Sequence, residues 1–381
     1  MALQFQRNAD IYVECMNAAR DAVLTTWKVP VLEGFSFSQS INSSEITINE
    51  AGETSRRARL LFNDSLAPAE WSFSTYVRPA VDTNVLAPEQ ALWAMLFGAS
   101  SFSANVYSNS NLSPITPVNA LTGNTENAFN LNGSNISAMP DNWNIVFAFE
   151  DGTNKQFFRL NKAVANSASL DFDIDGIATI AWSGFSQDIQ DLGTAAPEAT
   201  SPQTFPGDLS AAITSGITGT DNFIRNRIST LTLLRKDVSP EDTYNIVLTG
   251  GSFSIENNIT YLTPEELGKV NSPLANITGA RTITGSVTCY FDNDQAASKS
   301  GELFADLVSD TTTVRNVFDM AVNVGGVTAS TPRLSLDLPT AHLEVPTINV
   351  EDLLTLEVSF HGQVANGNVD STDEATIIYK A

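Results

Sequence analysis

Cysteine and histidine are scarce in this 381-residue sequence. The two cysteines, Cys15 and Cys289, are far apart and stand in no metal-ligand pattern. We interpret them as free, mostly buried thiols, because an isolated cysteine behaves as a small apolar side chain. The two histidines, His342 and His361, lack a zinc-binding spacing and are interpreted as polar residues on strand faces. The sequence therefore predicts neither a metal site nor a cofactor.

Basic residues are also few. The 20 Lys and Arg face 43 Asp and Glu, for a formal charge of −23. Such a surface repels polyanions, whereas specific nucleic-acid binding needs basic patches. The densest basic cluster, Arg56, Arg57 and Arg59, is flanked by Glu50 and Glu53. We interpret it as a solvated strand or an arm of inter-subunit ion pairs rather than a phosphate site.

Long apolar runs are missing as well. Near the start of the chain, Glu14, Arg20 and Asp21 interrupt any candidate signal segment, and no later stretch approaches the length of a membrane span. Neither secretion nor membrane insertion is predicted. What the sequence does contain is 42% hydrophobic residues with abundant Ser, Thr, Val and Ile, a composition that favours half-buried strands and a mainly β fold.

Catalytic motifs are absent: there is no nucleophile elbow, phosphate-binding loop or dinucleotide fingerprint. The segment Asp171 to Gly176 resembles the start of a calcium-binding loop, but Trp182 stands where a bidentate Glu would be needed. We interpret the segment as a strand with Phe172 and Ile174 inward and the acids outward. The chain is not predicted to be an enzyme.

The sequence resembles itself in two halves. Gly34 to Ser40 matches Gly250 to Glu256, and Trp71 to Val77 matches Thr284 to Phe291, each with the period-two alternation of a strand. In both halves an amphipathic stretch follows, residues 89–97 and 298–308, which predicts one short helix per copy. Near the end of each half, Ile174 aligns with Val350 and Ile180 with Leu356.

These matches predict two tandem β-rich modules, each with one short α-helix. The first module covers residues 1–190, a Thr-, Ser- and Pro-rich linker covers 191–222, and the second module covers 223–381. The first copy carries a Ser- and Asn-rich insertion at about 101–140, which we interpret as a surface loop or mobile hairpin. The five tryptophans lie in apolar periodic segments and are expected in the core.

Each module resembles that of phage tail tube proteins, a module shared with the tubes of contractile injection systems. The resemblance rests on the paired strands above, on Arg56 to Phe62, on the two helices, and on the closing segment Leu354 to Gly362 preceded by Pro346 to Asp352. It implies that each module is a β-sandwich or barrel flanked by one short α-helix. It also implies a subunit of a hollow tube of stacked rings, located in the virion tail, made in the host cytoplasm and conducting DNA at infection. A duplicated chain is expected to form a six-module ring from three copies.

The resemblance implies partners and surfaces. The partners are further copies of the chain, tape measure, terminator and hub proteins, a sheath where one exists, and DNA as transient cargo. The expected polar lumen face consists of Ser36, Ser38, Ser72, Ser74, Ser252, Ser254, Ser286 and Thr288. The expected inter-subunit loops contain Glu50, Glu53, Arg56, Arg57, Arg59, Glu265 and Glu266.

Two alternatives remain open at this point. A tail hub or terminator protein shares the module and differs in copy number. A β-rich carbohydrate-binding or adhesive protein would instead need aromatic platforms on exposed loops.

Overall fold

The computed structural model describes residues 8–47, 59–81, 85–103, 106–108, 126–130, 137–151, 154–193, 223–238, 241–293, 299–309, 316–325, 333–350, 352–364 and 374–380. Here the first half means the described residues up to 193 and the second half those from 223. Residues 191–193 of the expected linker lie in a strand that ends at Gly193. Its remaining residues, 194–222, lie outside the described residues.

Strands dominate the first half, as its alternating sequence predicts. They are β1 (Ala9–Met16), β2 (Val23–Val29), β3 (Ser36–Ser38), β4 (Ile41–Thr47), β5 (Arg59–Leu66), β6 (Ala69–Tyr76), β7 (Ala80–Val81), β8 (Val85–Leu86), β9 (Ser101–Ser103), β10 (Val106–Ser108), β11 (Glu126–Asn130), β12 (Trp143–Asp151), β13 (Asn154–Asn161), β14 (Val164–Asp173), β15 (Thr179–Ser186) and β16 (Asp188–Gly193). One helix, α1 (Gln90–Leu96), stands between β8 and β9.

The second half has the same character. Its strands are β17 (Thr230–Arg235), β18 (Asp242–Tyr244), β19 (Leu248–Glu256), β20 (Thr260–Leu262), β21 (Ala275–Ile277), β22 (Thr282–Tyr290), β23 (Phe318–Val324), β24 (Arg333–Leu343), β25 (Thr347–Val350), β26 (Leu354–Gly362) and β27 (Thr376–Lys380). Its helix, α2 (Ser300–Ser309), lies between β22 and β23. The mainly β fold and the two short helices are thus as predicted, but α1 is buried at all seven positions and is not the amphipathic helix expected.

A single antiparallel sheet runs through both halves, in the order β18-β17-β23-β24-β26-β22-β19-β14-β15-β6-β3. The long strand β24 pairs with β23 from Leu334 to Ala341, with β27 over its first five residues and with β26 over its last three. A second sheet, β16-β13-β12-β1-β2, packs on the first half. There the rings of Phe35 and Phe37 lie 5.5 and 4.5 Å from that of Phe147 in β12.

The core lies between these layers and contains all five tryptophans, as predicted: Trp27, Trp71, Trp93, Trp143 and Trp182. Helix α1 is buried throughout because it covers the first half's core, where Trp93 packs edge-on against Trp182 at 4.7 Å. Helix α2 buries one side, including Leu303 and Leu307. Both cysteines are buried and free, also as predicted.

The two halves share a strand order within the large sheet. The first half contributes β3-β6-β15-β14, and the second contributes β19-β22-β26 with β25 on the outer side of β26. A matching hydrogen bond occurs in each: the Val77 amide donates to the Ala178 carbonyl at 3.0 Å, and the Phe291 amide to the Leu354 carbonyl at 2.9 Å.

Two sequence predictions fail in detail. Ile174 is exposed rather than inward, because β14 ends at Asp173 and Ile174 lies in the turn that follows. The 101–140 insertion is not wholly a surface loop, since Tyr107 and Phe129 within it are fully buried and β11 pairs with the C-terminal strand β27. Burial of two large rings stabilises these parts against the core.

No helix among the described residues has the length and apolar character needed to cross a membrane.

Candidate functional site

The large sheet presents a polar face on the side opposite its core. Along β6 the side chains of Trp71 and Phe73 are buried, whereas Ser72 and Ser74 point the other way, since successive strand residues face opposite sides. All eight residues of the expected lumen set lie on this face: Ser36, Ser38, Ser72, Ser74, Ser252, Ser254, Ser286 and Thr288. That this face lines a lumen remains a prediction.

Strand pairing arranges these residues in rows across the sheet. Ser36 lies opposite Ser72, and Ser72 lies opposite Ser183 in β15. In the second half Ser252, Ser286 and Ser359 form the corresponding row. Hydroxyl pairs join neighbouring strands, at 2.9 Å between Ser36 and Ser72 and at 2.7 Å between Ser167 and Ser183.

On eight strands of this face the charged side chains are acidic, apart from the titratable His361, which hydrogen-bonds Glu344 at 2.8 Å. The eight strands β3, β6, β15, β14, β19, β22, β26 and β25 contain no Lys or Arg. Their acidic residues are Glu70, Asp171, Asp173, Glu256 and Glu357. A surface without cations offers phosphate groups no charge-assisted partner.

The halves meet in a central junction formed by the antiparallel pair β14 and β19. Its register places Ser169 opposite Ser254, Leu170 opposite Phe253 and Phe172 opposite Gly251. A side chain at Gly251 would collide with the Phe172 ring, whose Cζ lies 2.7 Å from the position of a Cβ. Sheet pairing and apolar burial thus act together at this junction.

A hairpin strengthens the central junction. The short strands β20 and β21 of the second half contact the first half. The Asn276 side chain accepts a hydrogen bond from the Met139 amide at 2.7 Å and donates one to the Met139 carbonyl at 3.1 Å. The Ile259 amide donates to the Asn166 side chain at 2.8 Å, and the Tyr261 hydroxyl to the Lys162 carbonyl at 3.2 Å.

Two edge strands of the large sheet each correspond to one strand of the central junction. By the shared strand order, β3 corresponds to β19 and β25 corresponds to β14. In the described residues, β3 pairs only with β6 and β25 only with β26. All four residues of β25 are exposed. We call β3 the front edge and β25 the rear edge.

The rear edge exposes apolar side chains where the first half buries them. Asp171 lies opposite Thr179, and Asn349 lies opposite Thr355, so Leu170 and Phe172 correspond to Ile348 and Val350. Leu170 and Phe172 are 0% and 3% exposed beneath β19, whereas Ile348 and Val350 are 40% and 77% exposed. By this register the counterpart of Val350 is Phe172 and not Ile174, two residues from the alignment based on sequence.

The ribbon of β4 and β5 is exposed on both sides. Its exposed apolar residues are Ile41, Ile46, Leu60, Leu61 and Phe62. An isolated two-stranded ribbon is only marginally stable in water. Exposed apolar side chains clustered on one element are typical of a site that contacts another protein.

The expected loop residues are only partly described. Glu50, Glu53, Arg56 and Arg57 lie outside the described residues. Arg59 in β5 forms an exposed ion pair with Glu45 at 3.1 Å. Glu265 and Glu266 are exposed between β20 and β21, and Glu266 pairs with Lys269 at 2.7 Å. Their role in contacts between subunits is not tested by these positions.

Two buried acids lie apart from the polar face. Desolvation raises the pKa of Glu14 to about 8, although Asn144 and the Arg159 and Arg20 guanidiniums act against it. Burial likewise raises the pKa of Glu89 to about 7, and the Tyr379 hydroxyl donates to this carboxyl group at 2.8 Å. Both side chains are fully buried. Among the described residues no group of three His, Cys, Asp or Glu could hold a metal.

Sequence reasoning missed the central junction and the rear edge. Each strand was visible by its alternation, but the pairing of β14 with β19 joins residues far apart in the chain. One signal was available: Gly250 and Gly251 are the third and fourth residues of β19, and glycine within a strand often marks the close approach of another segment.

The sequence matches known proteins along most of its length. The family model described as phage tail tube protein matches residues 72–362. The tail tube protein pb6 of Escherichia phage T5 is 31% identical over 379 residues, which cover 98% of this chain and 75% of the relative.

Proposed function

The chain belongs to the phage tail tube protein family and is a structural subunit of the virion tail, and from this premise we propose that three copies close into one ring of the tube. The single observation that carries the proposal is the contrast between the covered edge of the first half and the bare rear edge of the second. Stacked rings of this kind would form the hollow conduit for the genome.

The proposal treats the chain as one module present twice. The shared strand order, the paired hydrogen bonds of Val77 and Phe291, and the position of one helix in each half support a duplication. The modules would occupy residues 1–190 and 223–381. A ring of three such chains contains six modules, and closure removes the unpaired sheet edges that otherwise promote uncontrolled association.

The central junction supplies the template for the contact between chains. In that register β25 of one copy pairs with β3 of the next. Asn349 then lies opposite Ser36, as Asp171 lies opposite Ser252 within the chain. Ile348 likewise meets Phe37, as Leu170 meets Phe253. The exposed apolar residues of the rear edge become covered, which stabilises the ring by about 25 cal/mol for each Å² of apolar surface removed from water.

The polar face would line the lumen in this ring, since the core and the second sheet occupy the opposite side. Its Ser and Thr hydroxyls and its acids would hold water and repel the DNA backbone. Passage of a genome needs low affinity, and cation-free walls provide it.

The β4–β5 ribbon would make the contact between stacked rings. At the two ends of the tube this ribbon or its docking surface has no further ring to meet. We propose that terminator and hub proteins cover those ends, and that the tape measure occupies the lumen before ejection.

Paired cysteines test the ring. In a chain carrying Ser36→Cys and Asn349→Cys, oxidation of assembled tubes should give disulfides between chains that end at a covalent trimer on a non-reducing gel. Bridged Cα atoms in an antiparallel pair lie about 4.5–5.5 Å apart, within the span of a disulfide. The native Cys15 and Cys289 should not interfere, since burial raises the pKa of their thiols to about 12 and about 11.

The matched control combines Ser36→Cys with Ile348→Cys, whose side chains would face opposite sides of the sheet. The control should show little cross-linking. Disulfides within one chain, or a ladder that continues to six chains, would contradict the three-copy ring.

A further inference from the structure

The start of the second half makes a specific contact with the first. The Phe223 ring packs edge-on against Tyr76 at 5.1 Å, and the Arg78 guanidinium lies 4.8 Å from its centre. The Ala178 amide donates to the Ile224 carbonyl, and the Asn226 amide to the Gly176 carbonyl, both at 3.1 Å. This segment therefore covers the turn between β14 and β15 with both side chains and backbone.

A bridge fixes the alignment of this contact. Ile177 and Arg225 form an isolated antiparallel bridge, so the segment behaves as a short added strand across the turn. It then enters a single 3-10 turn at Asn226–Ile228 and continues into β17.

Among the described residues, the equivalent surface of the second half is exposed to solvent. Tyr290 takes the place of Tyr76, and Leu353 and Leu354 take the places of Ile177 and Ala178, as the hydrogen bonds of Phe291 and Val77 establish. The contrast is large at one pair, Ala178 at 0% exposed against Leu354 at 43%, and smaller at the other, Ile177 at 46% against Leu353 at 62%. Tyr290 is also exposed, so three neighbouring apolar side chains face solvent here.

The sequence before β1 repeats the covering segment. Phe5-Gln6-Arg7-Asn8 matches Phe223-Ile224-Arg225-Asn226 at the Phe, Arg and Asn positions, and each stands just before the first strand of its half. Residues 5–7 lie outside the described residues.

We propose that residues 5–8 of one chain, the N-terminal arm, dock on Tyr290, Leu353 and Leu354 of the neighbouring copy. This inference rests on the proposed ring, which brings the front of one chain beside the rear of the next. In this docked position Phe5 would pack on Tyr290, and Arg7 would bridge to Leu353 beside the exposed Asp352. The arm thus repeats between chains the contact that residues 223–226 make within one.

The occupant must come from a second copy. Within one chain the front and rear edges are seven strand spacings apart in the sheet order, or about 34 Å along the sheet at about 4.8 Å per spacing. Four residues span at most about 14 Å, so an arm anchored at β1 does not reach its own rear edge along this path.

The two contacts differ in two places, which sets their relative strength. Gln6 replaces the buried Ile224, and Asp292 replaces the Arg78 that lies over Phe223. Both changes remove favourable contacts, so docking between chains is weaker than the contact within a chain. A reversible arm suits subunits that must assemble from separate copies.

Cysteines at the bridged positions test the arm. In the full chain carrying Arg7→Cys and Leu353→Cys, oxidation of assembled tubes should give disulfides between chains with a yield at least about fivefold above that of Arg7→Cys with Val247→Cys. Val247 is an exposed control position in the second half. Gel mobility before and after reduction separates links between chains from links within one.

The outcomes separate the arm from the ring. If Ser36→Cys with Asn349→Cys links chains while Arg7→Cys with Leu353→Cys does not exceed its control, the arm is wrong and the ring stands. If neither pair links chains, the ring and the arm both fail. A fast-migrating product linked within one chain would also overturn the arm.

Discussion

At the scale of single residues, alternation between large apolar and small polar side chains decides which side of each strand is buried. In β15 Trp182 is buried beneath α1, while its neighbour Ser183 hydrogen-bonds Ser167 on the polar face. Two opposite requirements, packing on one side and wetting on the other, are therefore met by adjacent residues. In the proposed tube, the same sheet would therefore form a wall of the core and a wall of the conduit.

The buried carboxyl of Glu14 makes stability depend on pH. Its pKa of about 8 in the fold exceeds the ordinary value of 4.5, so the folded chain holds a proton that the unfolded chain releases. The contribution of Glu14 to the free energy of unfolding is therefore largest below about pH 4.5. It falls by up to about 1.4 kcal/mol for each pH unit as the pH rises towards 8.

The variant Glu14→Gln should lose this dependence. We expect its melting temperature to exceed that of the parent chain at pH 8 and to match it near pH 4, as measured by calorimetry of unassembled subunits. Glu265→Gln, at an exposed position, is the control and should follow the parent at both values. An equal difference at pH 4 and pH 8 would show that Glu14 does not hold the proton.

At the scale of elements, the local sequence pattern predicted individual strands and helices better than it predicted which strands pair with each other. The alternation around Trp71 and Phe253 correctly indicated β6 and β19, and the apolar spacing of Leu92 to Phe97 indicated α1. Ile174 was misassigned because a periodic pattern does not reveal where a strand ends. The junction of β14 with β19 and the burial of Tyr107 could not be predicted, since both depend on contacts between residues distant in sequence.

The β4–β5 ribbon is the element whose exposure calls most directly for a partner. Leu61, 69% exposed, should tolerate Asp in the isolated subunit, because it contacts little there. In assembly the change would place a charge in an apolar contact, at a cost of several kcal/mol unless it is paired. We expect Leu61→Asp to fold with an unchanged melting temperature and to form few or no tubes in negative-stain images.

Ser43→Asp supplies the control for the ribbon, since Ser43 is an exposed polar residue of the same element. It should form tubes normally. Tubes of normal length from Leu61→Asp would show that the ribbon does not form the contact between stacked rings.

At the scale of the whole molecule, the charge distribution fits the proposed conduit. The eight strands of the polar face carry acids and no cations, so the net charge of −23 is matched by the character of this particular surface. Adding cations here should create contacts with DNA, and each contact should strengthen the salt dependence of binding.

Ser286→Lys tests this charge argument. With three copies per ring, the variant adds a stack of positive charges along the proposed lumen, and we expect DNA ejection from phage carrying it to slow and to recover in higher salt. Ser286→Asp should eject at the parental rate. Equal ejection by the two variants, with tubes intact, would show that Ser286 does not face the DNA.

The symmetry of the assembled tube tests the central claim most directly. Electron cryo-microscopy should show rings of threefold symmetry built from three chains, with six similar modules and β25 of each chain paired to β3 of the next. Six chains per ring, or three chains joined through other strands, would contradict the account.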